Sequence, residues 1–289
     1  AIQAHPNLTL IGEEIAANRK TLKQVVAQIA DLICERSRLG KEYGIILIPE
    51  GIVEFIEDFG LLIKEIKKFG DQKEDVAKHL QGDVLDCFAL LPLEFQRQLL
   101  LEKDPHGNVQ VSKIESERLL IALTKTELQR RKKRGEYNGK FNAQPHFCGY
   151  EARSCAPSLF DANYCYALGF VAALLARFAC NGYMAALKGL TRCALEWEPK
   201  GVPLVSMMQL ECRNGSMKPV VGKTCVDLSG IPYRLFMQNS PAWAIEDHYR
   251  YVGPIQYFGA SEMTSMSPLT LMLEGTPLSE ENCLENVGG

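Results

Sequence analysis

The most constraining stretch of the sequence is an aliphatic run over residues 44–48, followed at once by the tripeptide Pro-Glu-Gly. A short run of this kind is typical of a strand buried on both faces, as in parallel sheets. A second strand is predicted over residues 8–11. Helical spacing of apolar residues follows each strand, over residues 13–40 and about 52–69. The order strand, helix, strand, helix indicates an α/β layer with a parallel sheet.

Composition excludes several classes of protein. The chain has 289 residues, 46% of them hydrophobic and 23% charged, with a formal net charge of -3. This balance does not fit a protein that coats DNA or an anionic membrane. The longest apolar segment, residues 167–180, is shorter than the roughly 20 residues that a membrane span needs. It is also interrupted by Gly169 and Arg177. We therefore expect neither a nucleic-acid nor a membrane partner.

The rest of the chain is predicted to alternate helical and extended segments. Residues 80–134 have mostly helical patterning and end in the basic run QRRKKR, residues 129–134. We favour a solvated last helical turn for this run over an anion-binding patch. A helix capped by Ser158 or Asp161 leads to a short strand over residues 183–187. An Asn-Gly turn then centres a β-hairpin within residues 202–230.

The cysteines indicate the cellular compartment, and the first residues indicate how the chain relates to a larger fold. Ten cysteines occur without a CxxC pair, so zinc and thioredoxin-like sites lack support. We expect reduced thiols in a cytoplasmic protein. The opening residues, from Ala1 through the predicted turn at Pro6 and Asn7, have the pattern of the middle of a fold. We expect an N-terminal portion to be missing or supplied by another polypeptide.

Glu50 is the first candidate site residue. Ligands of open α/β sheets bind beyond the carboxyl ends of the strands, which is where Glu50 is predicted to lie. Pro49 restricts the backbone there, and Gly51 permits a tight turn. A carboxylate is a good acceptor for two vicinal hydroxyls, as on a sugar. The alternative is a helix-terminal residue favoured by the helix dipole, and spacing alone does not separate the two.

Tyr150 and Arg153 form the second candidate group. A Gly-Tyr-x-x-Arg turn before a capped helix can direct a phenol and a guanidinium to one ligand. The planar fork of an arginine binds phosphate in a way that lysine cannot reproduce. The alternative is a surface ion pair of Arg153 with Glu151 or Asp161, which composition alone favours. Asp247 and His248 suggest an acid/base pair, but a hydrogen-bonded structural role is the commoner one.

Three separate motifs resemble those of the phosphofructokinase family. They are GKEYGIILIPEGIVEFI, PHFCGYEAR with CAPSLFDANYCYALG, and NGYMAAL, in the family's order. The similarity extends over almost the whole chain and is closest to the long, pyrophosphate-dependent 6-phosphofructokinases. It implies a three-layer, phosphofructokinase-like parallel sheet flanked by helices, with a helical insertion and a C-terminal β-hairpin. The implied regions are 1–80 for sugar-phosphate binding, 81–140 for the insertion, 141–260 for the remaining α/β part and 261–289 for an extended tail.

The resemblance also implies roles for the candidate residues. Glu50 corresponds to the carboxylate that binds the hydroxyls of fructose 6-phosphate. Tyr150 and Arg153 correspond to the pair that holds the sugar phosphate, with Arg153 on the 6-phosphate. Ala152 replaces a glycine found in many members, which we regard as a mild departure.

Three family motifs are absent from the sequence, and all three lie upstream of the region that it resembles. They supply the pyrophosphate and magnesium site, the catalytic aspartate and a further sugar-phosphate contact. We therefore expect no catalytic residue or metal ligand within this chain, with magnesium bound by the missing N-terminal portion or a partner subunit. The implied assembly is a dimer or higher oligomer. A non-catalytic regulatory subunit and an ATP-dependent enzyme are the alternatives.

Overall fold

A computed structural model describes residues 1–68, 79–101, 114–152, 156–213, 216–222, 224–250, 259–260 and 264–274. The chain divides into two compact units. Unit 1 comprises residues 1–148 and 236–250, and unit 2 comprises residues 149–235 and 251–289. The described part is a mixed α/β structure. The boundaries of the four regions inferred from the sequence differ from the boundaries of these two units. The four-region division stays a prediction.

The helices and strands are numbered in chain order. The α-helices are α1 (Gly12–Ala17), α2 (Leu22–Arg38), α3 (Glu57–Lys68), α4 (Gly82–Leu90), α5 (Leu93–Leu101), α6 (Ser116–Lys133), α7 (Leu159–Arg177), α8 (Ile231–Ile245) and α9 (Leu269–Glu274). The strands are β1 (Leu8–Thr9), β2 (Ile46–Leu47), β3 (Tyr183–Lys188), β4 (Glu198–Pro203), β5 (Met208–Arg213) and β6 (Ser216–Val221). Short 3₁₀ helices include Ile52–Phe55 and Gly149–Ala152.

Strands β1 and β2 pair in parallel, with Leu8 opposite Ile46 and Thr9 opposite Leu47. The sequence predicted both strands and their parallel sense, and this is confirmed. The expected burial of β2 on both faces is wrong. Leu47 is 38% exposed and the preceding Ile45 is 50% exposed. Ile46 and Ile48 pack against the core from one face, whereas nothing in the described part of the chain covers the opposite face, on which Ile45 and Leu47 lie.

Helices carry the core of unit 1. One apolar cluster joins α2, α3, α4 and α6, and its fully buried members include Leu22, Val25, Phe59, Leu62, Leu119 and Leu120. The helix predicted over residues 13–40 is two helices, because the chain breaks at Asn18–Thr21. Thr21 then starts α2 with a capping box, in which its side chain accepts from the backbone of Gln24 and Gln24 accepts from the backbone of Thr21.

A polar cluster fixes the last segment of unit 1. Arg36 is 3% exposed, and its guanidinium donates to the carbonyl of Tyr43, to the carbonyls of Ala244 and Ile245, and to the carboxylate of Asp247 at 2.7 Å. Tyr43 Oη donates to the same carboxylate at 2.6 Å. The cluster thus joins the end of α2 to the residues that lead into β2 and to the end of α8.

Asn7 extends this polar cluster to β2. Its side chain is buried, accepts from the backbone N–H of Ile45 at 2.9 Å and donates to the carbonyl of Trp243 at 2.9 Å. Tyr249 Oη also donates to the Asn7 side chain. A buried amide with each of these bonds made is stabilising, whereas one left without them would cost stability. Asn7 therefore sets the position at which β2 meets β1.

The basic run at the end of α6 is largely paired with acidic side chains. Arg131 contacts both Asp31 at 2.7 Å and Glu127 at 3.1 Å. Arg130 also pairs with Glu127, and Arg134 pairs with Glu136. These contacts support the interpretation of the run as a helix end rather than as an anion-binding patch.

Unit 2 contains α7 and two antiparallel strand pairs. Ser158 caps α7 by accepting from the backbone N–H of Asp161, whose carboxylate accepts from Ser158 in return. Strand β3 follows and pairs with β4, and β5 pairs with β6. The predicted cap, the strand and the hairpin strands are confirmed. The predicted Asn-Gly turn lies outside the described residues, as does most of the predicted tail.

Helix α7 is long and apolar enough, by length and composition, to cross a membrane, and no other helix in the described ranges is. The expectation that no apolar segment is long enough to cross a membrane is therefore corrected for this helix. A mostly buried core helix of a soluble protein passes the same criterion, but 11% of the α7 segment is buried. One face of α7 packs on the β3–β4 pair, where Leu175 lies beside Gly201 and Phe160 beside Trp197.

The Asp247 contacts predict a pH dependence of stability. Hydrogen bonds from Tyr43 and then Arg36 hold the pKa of the Asp247 carboxyl well below its usual value. Such a group stabilises the fold above its unfolded pKa of about 3.9 and loses that contribution as the pH falls through the folded pKa. We expect the free energy of unfolding to be lower in Asp247→Asn between about pH 5 and 7.

This difference from the unsubstituted chain should shrink as the pH falls below about 4, because the unfolded chain then takes up the proton while the folded carboxyl is still ionised. Urea unfolding of both proteins across this range measures it. A difference that does not change with pH would contradict the assigned role of the charge.

Candidate functional site

Glu50 lies on a turn that follows β2. The strand ends at Leu47, and the 3₁₀ helix Ile52–Phe55 begins two residues after Glu50. Ile52 and Val53 are fully buried, so they fix the end of the turn to the core. The Glu50 side chain is exposed. The Ile52 N–H donates to the carbonyl of Pro49 at 3.3 Å, which closes the turn.

Gly51 gives the turn its shape. Its φ of 74° lies in the left-handed region, which residues with a Cβ adopt at a cost. No heavy atom lies within 4 Å of the place that a Cβ would occupy. The glycine is therefore required by the backbone conformation and not by crowding, as its place after the strand predicted.

The carboxylate of Glu50 consequently projects from the carboxyl end of a strand in a parallel pair, the edge where α/β folds bind ligands. The alternative role, a carboxylate stabilised by the dipole of the next helix, is weakened. The next element is a four-residue 3₁₀ helix, and a macrodipole needs several aligned peptide units. The position favours a ligand-binding role, which stays a prediction.

Tyr150 belongs to unit 2. It lies in the 3₁₀ helix Gly149–Ala152, and its side chain is 87% exposed. A phenol with so much free surface contributes little to packing and is available to a ligand. Arg153 lies outside the described residues. Glu50 belongs to unit 1, so the expectation that these three side chains bind one sugar phosphate stays a prediction.

Asp247 and His248 do not form an acid/base pair. The Asp247 carboxylate is engaged by Arg36, Tyr43 and Lys41, and His248 Nε2 lies 2.6 Å from the carboxylate of Glu246. The structural interpretation of both residues is therefore supported.

Sequence reasoning did not identify Asn7 and Arg36 as the centre of the polar cluster. Trp243 and Asp247, which bond Asn7 and Arg36 respectively, lie more than 200 residues away from them in the chain. A signal was available in Arg36, a charged side chain on the apolar stripe of a predicted helix.

The described residues contain no group of three or more His, Cys, Asp or Glu side chains placed to hold a metal ion. Magnesium is a hard cation that prefers clustered carboxylate oxygens. These residues therefore do not fit a magnesium site, and we derive no chemical step from that ion.

Comparison with known proteins gives relatives that share one enzyme name. The chain is 45% identical over 264 residues to the pyrophosphate–fructose 6-phosphate 1-phosphotransferase subunit beta of Solanum tuberosum, covering 90% of this chain and 46% of that protein. It is 41% identical over 288 residues to the pyrophosphate–fructose 6-phosphate 1-phosphotransferase of Treponema pallidum (strain Nichols), covering 95% and 50%.

A third relative is the pyrophosphate–fructose 6-phosphate 1-phosphotransferase subunit alpha 2 of Arabidopsis thaliana, 39% identical over 268 residues, covering 89% and 43%. No family model matches the chain. The chain spans about half the length of the curated relatives that it matches.

The left-handed turn at Gly51 predicts opposite effects of two matched substitutions. Gly51→Ala should lower the free energy of unfolding by about 1 kcal/mol, because alanine is strained at that φ. Gly60→Ala, within α3, should be neutral or raise it by up to about 1 kcal/mol, since alanine favours helix and its Cβ would lie an ordinary 3.8 Å from the carbonyl of Glu54. Urea unfolding measures both. Effects of the same sign and size would refute the turn geometry.

Proposed function

The chain belongs by sequence to the pyrophosphate-dependent phosphofructokinase family, and from this premise we propose that it is the sugar-phosphate-binding half of a pyrophosphate–fructose 6-phosphate 1-phosphotransferase. The observation that carries the proposal is the identity of 39–45% with proteins of that name over 89–95% of this chain. Similarity over this much of the chain includes both predicted site segments, that of Glu50 and that of Tyr150 and Arg153.

The proposed reaction transfers a phosphoryl group from pyrophosphate to the 1-hydroxyl of fructose 6-phosphate. The products are fructose 1,6-bisphosphate and inorganic phosphate. The reaction is a step of glycolysis. The names of the relatives give pyrophosphate and fructose 6-phosphate, which supports pyrophosphate over ATP as the donor. In phosphoryl transfer, positioning and electrostatic stabilisation supply most of the rate, so a half that holds the acceptor contributes to catalysis directly.

Glu50 would orient the sugar ring. Its carboxylate accepts two hydrogen bonds, which suits a pair of neighbouring hydroxyls on the fructose. The buried Ile52 and Val53 and the left-handed Gly51 fix the backbone that presents it. A carboxylate held in this way loses little conformational entropy when the sugar binds, which favours affinity.

Tyr150 and Arg153 would hold the phosphate. The phenol donates one hydrogen bond to a phosphate oxygen, and the guanidinium donates two in a planar fork. The exposure of Tyr150 supports its availability to a ligand. The phosphate then serves as a handle, and its binding energy helps to place the 1-hydroxyl for attack.

The remaining chemistry would come from the half of the enzyme that this chain does not span. That half would supply the pyrophosphate site, magnesium and the base that activates the 1-hydroxyl. We propose that the two halves complete a three-layer, phosphofructokinase-like parallel sheet. The parallel β1–β2 pair supports this arrangement, because each of these strands has one unpaired edge among the described residues, at which further strands can pair.

A second candidate is a non-catalytic, sugar-phosphate-binding subunit. The names of two relatives distinguish an alpha from a beta subunit, which supports an assembly with more than one kind of subunit, in which such a role can exist. Both candidates require fructose 6-phosphate binding and an oligomer, and only the first requires turnover once the other half is present. We also propose a cytoplasmic location, which is supported by the free thiols of the cysteines whose side chains are described.

Replacing the proposed phosphate anchor should weaken sugar-phosphate binding. Arg153→Ala should cost about 2–3 kcal/mol of fructose 6-phosphate binding, since charge-assisted hydrogen bonds are lost. Arg130→Ala is the matched control, because Arg130 pairs with Glu127 at the end of α6. Calorimetry on the chain assembled with the other half measures both affinities. An unchanged affinity in Arg153→Ala would overturn its assignment.

Neutralising Glu50 should affect binding but not folding. Glu50→Gln should raise the dissociation constant for fructose 6-phosphate by about tenfold, because an amide replaces one charged acceptor. Its unfolding transition in urea should match that of Glu54→Gln, an exposed glutamate on the same turn. Loss of folding in Glu50→Gln would instead assign the carboxylate a structural role.

A further inference from the structure

The described part of unit 2 buries few apolar side chains. Among the described residues, 33 apolar side chains are buried, and four of these lie in unit 2: Phe160, Val171, Leu235 and Leu273. A unit of this length ordinarily stabilises itself by burying most of its apolar surface. The apolar side chains of unit 2 are present in the sequence, but many of them face outward.

Helix α7 carries the clearest exposed stripe. Tyr166 is 73% exposed, Phe170 60%, Leu174 47% and, just beyond the helix, Phe178 71%. Their four-residue spacing places them along one side of the helix. Three exposed aromatic rings and a leucine along one side of a helix are the kind of apolar patch that marks an interaction site.

A shallow groove runs alongside this stripe. It is lined by Cys165, Tyr166, Gly169, Phe170 and Ala173. The rings of Tyr166 and Phe170 contact each other, with centroids 5.6 Å apart, and no heavy atom lies within 4 Å of the place that a Cβ at Gly169 would occupy. The small residues Gly169 and Ala173 therefore leave a shallow notch beside this aromatic pair, into which an apolar side chain from another surface can pack.

The strands of unit 2 add to this exposed apolar surface. The side chains concerned are Met184 in β3, Leu210 in β5, and Met217 and Val221 in β6, each more than 40% exposed. Exposed apolar groups on a helix and on two strand pairs resemble a domain core that has been cut in half. Interfaces of that kind are typical of permanent association.

We propose that the exposed stripe and groove of α7 form the docking surface for the half of the phosphotransferase that this chain does not span. The proposal rests on the proposed function. Relatives about twice as long as this chain contain a second half of similar length, which needs an apolar surface against which to pack. The notch at Gly169 then receives one of its apolar side chains.

Two other occupants fit the structure less well. A lipid bilayer would have to surround α7, but one face of the helix packs on β3 and β4. Those strands would enter the bilayer with unpaired edges, which is very costly. A second copy of this chain would cover the stripe but would leave the missing half of each phosphotransferase without this surface.

The test uses the thiol of Cys165, which lies in the groove and is exposed. The chain is co-expressed with a tagged polypeptide comprising the part of the Solanum tuberosum beta subunit outside the matched region. Maleimide labelling of each cysteine is then followed by peptide mass spectrometry, with the exposed Cys148 of unit 1 as the reference thiol. We expect Cys165 to react at least tenfold more slowly in the complex than in the chain alone.

Gly169→Leu supplies the matched variant. A Cβ at this position has no heavy atom within 4 Å, and leucine favours helix more than glycine does, so the chain alone should stay folded, as circular dichroism can confirm. The leucine fills the groove, and we expect at least tenfold weaker association in sedimentation. Leu93→Asp changes an apolar residue of unit 1 that is 69% exposed and should leave association unchanged.

Three results would overturn the proposal, and none depends on the variant folding. Cys165 labelling that is unchanged by the second polypeptide would do so. So would protection in the chain alone through dimerisation, or protection by vesicles of phosphatidylcholine and phosphatidylglycerol. A complex that protects Cys165 but does not phosphorylate fructose 6-phosphate would refute the proposed activity and leave this interface intact.

Discussion

The buried polar cluster of Asn7 and Arg36 is the constraint on which the arrangement of unit 1 depends. Asn7 holds the backbone of Ile45, and Arg36 holds the carbonyl of Tyr43, so both fix the residues that enter β2. The strand then leads directly into the turn that carries Glu50. Buried polar groups contribute to stability only when their hydrogen bonds are satisfied, so the cluster tolerates few alternative positions of this segment.

Local patterns predicted the elements whose causes are local. Ser158 caps α7 as expected, and the alternating residues on either side of the Asn-Gly pair form the strands β5 and β6. The helix break at Thr21 was missed, because a capping box inside a long apolar pattern competes with continued helix. The exposure of β2 was also missed, since an aliphatic run indicates a buried strand without indicating which polypeptide buries it.

The residues of the candidate site and its supports also divide into those that local sequence patterns predicted and those that they did not. The position of Glu50 followed from a strand, a proline and a glycine that are adjacent in sequence, and the structure has the predicted turn there. The bonds of Asn7 to Trp243 and of Arg36 to Ala244 join residues that are distant in sequence, so single-sequence patterns could not predict them. The roles of Tyr150 and Arg153 rest on motif resemblance. The sparse core of unit 2 is explained if these residues belong to a half enzyme.

The most direct test of the account is whether one ligand engages both site segments. Hydrogen exchange of the chain assembled with the other half is measured with fructose 6-phosphate and, as a control, with inorganic phosphate. The account predicts slower exchange in peptides from the Glu50 turn and from the Tyr150 segment at the same fructose 6-phosphate concentration. Inorganic phosphate should affect the Tyr150 segment alone. Protection of one segment without the other by saturating fructose 6-phosphate would contradict the account.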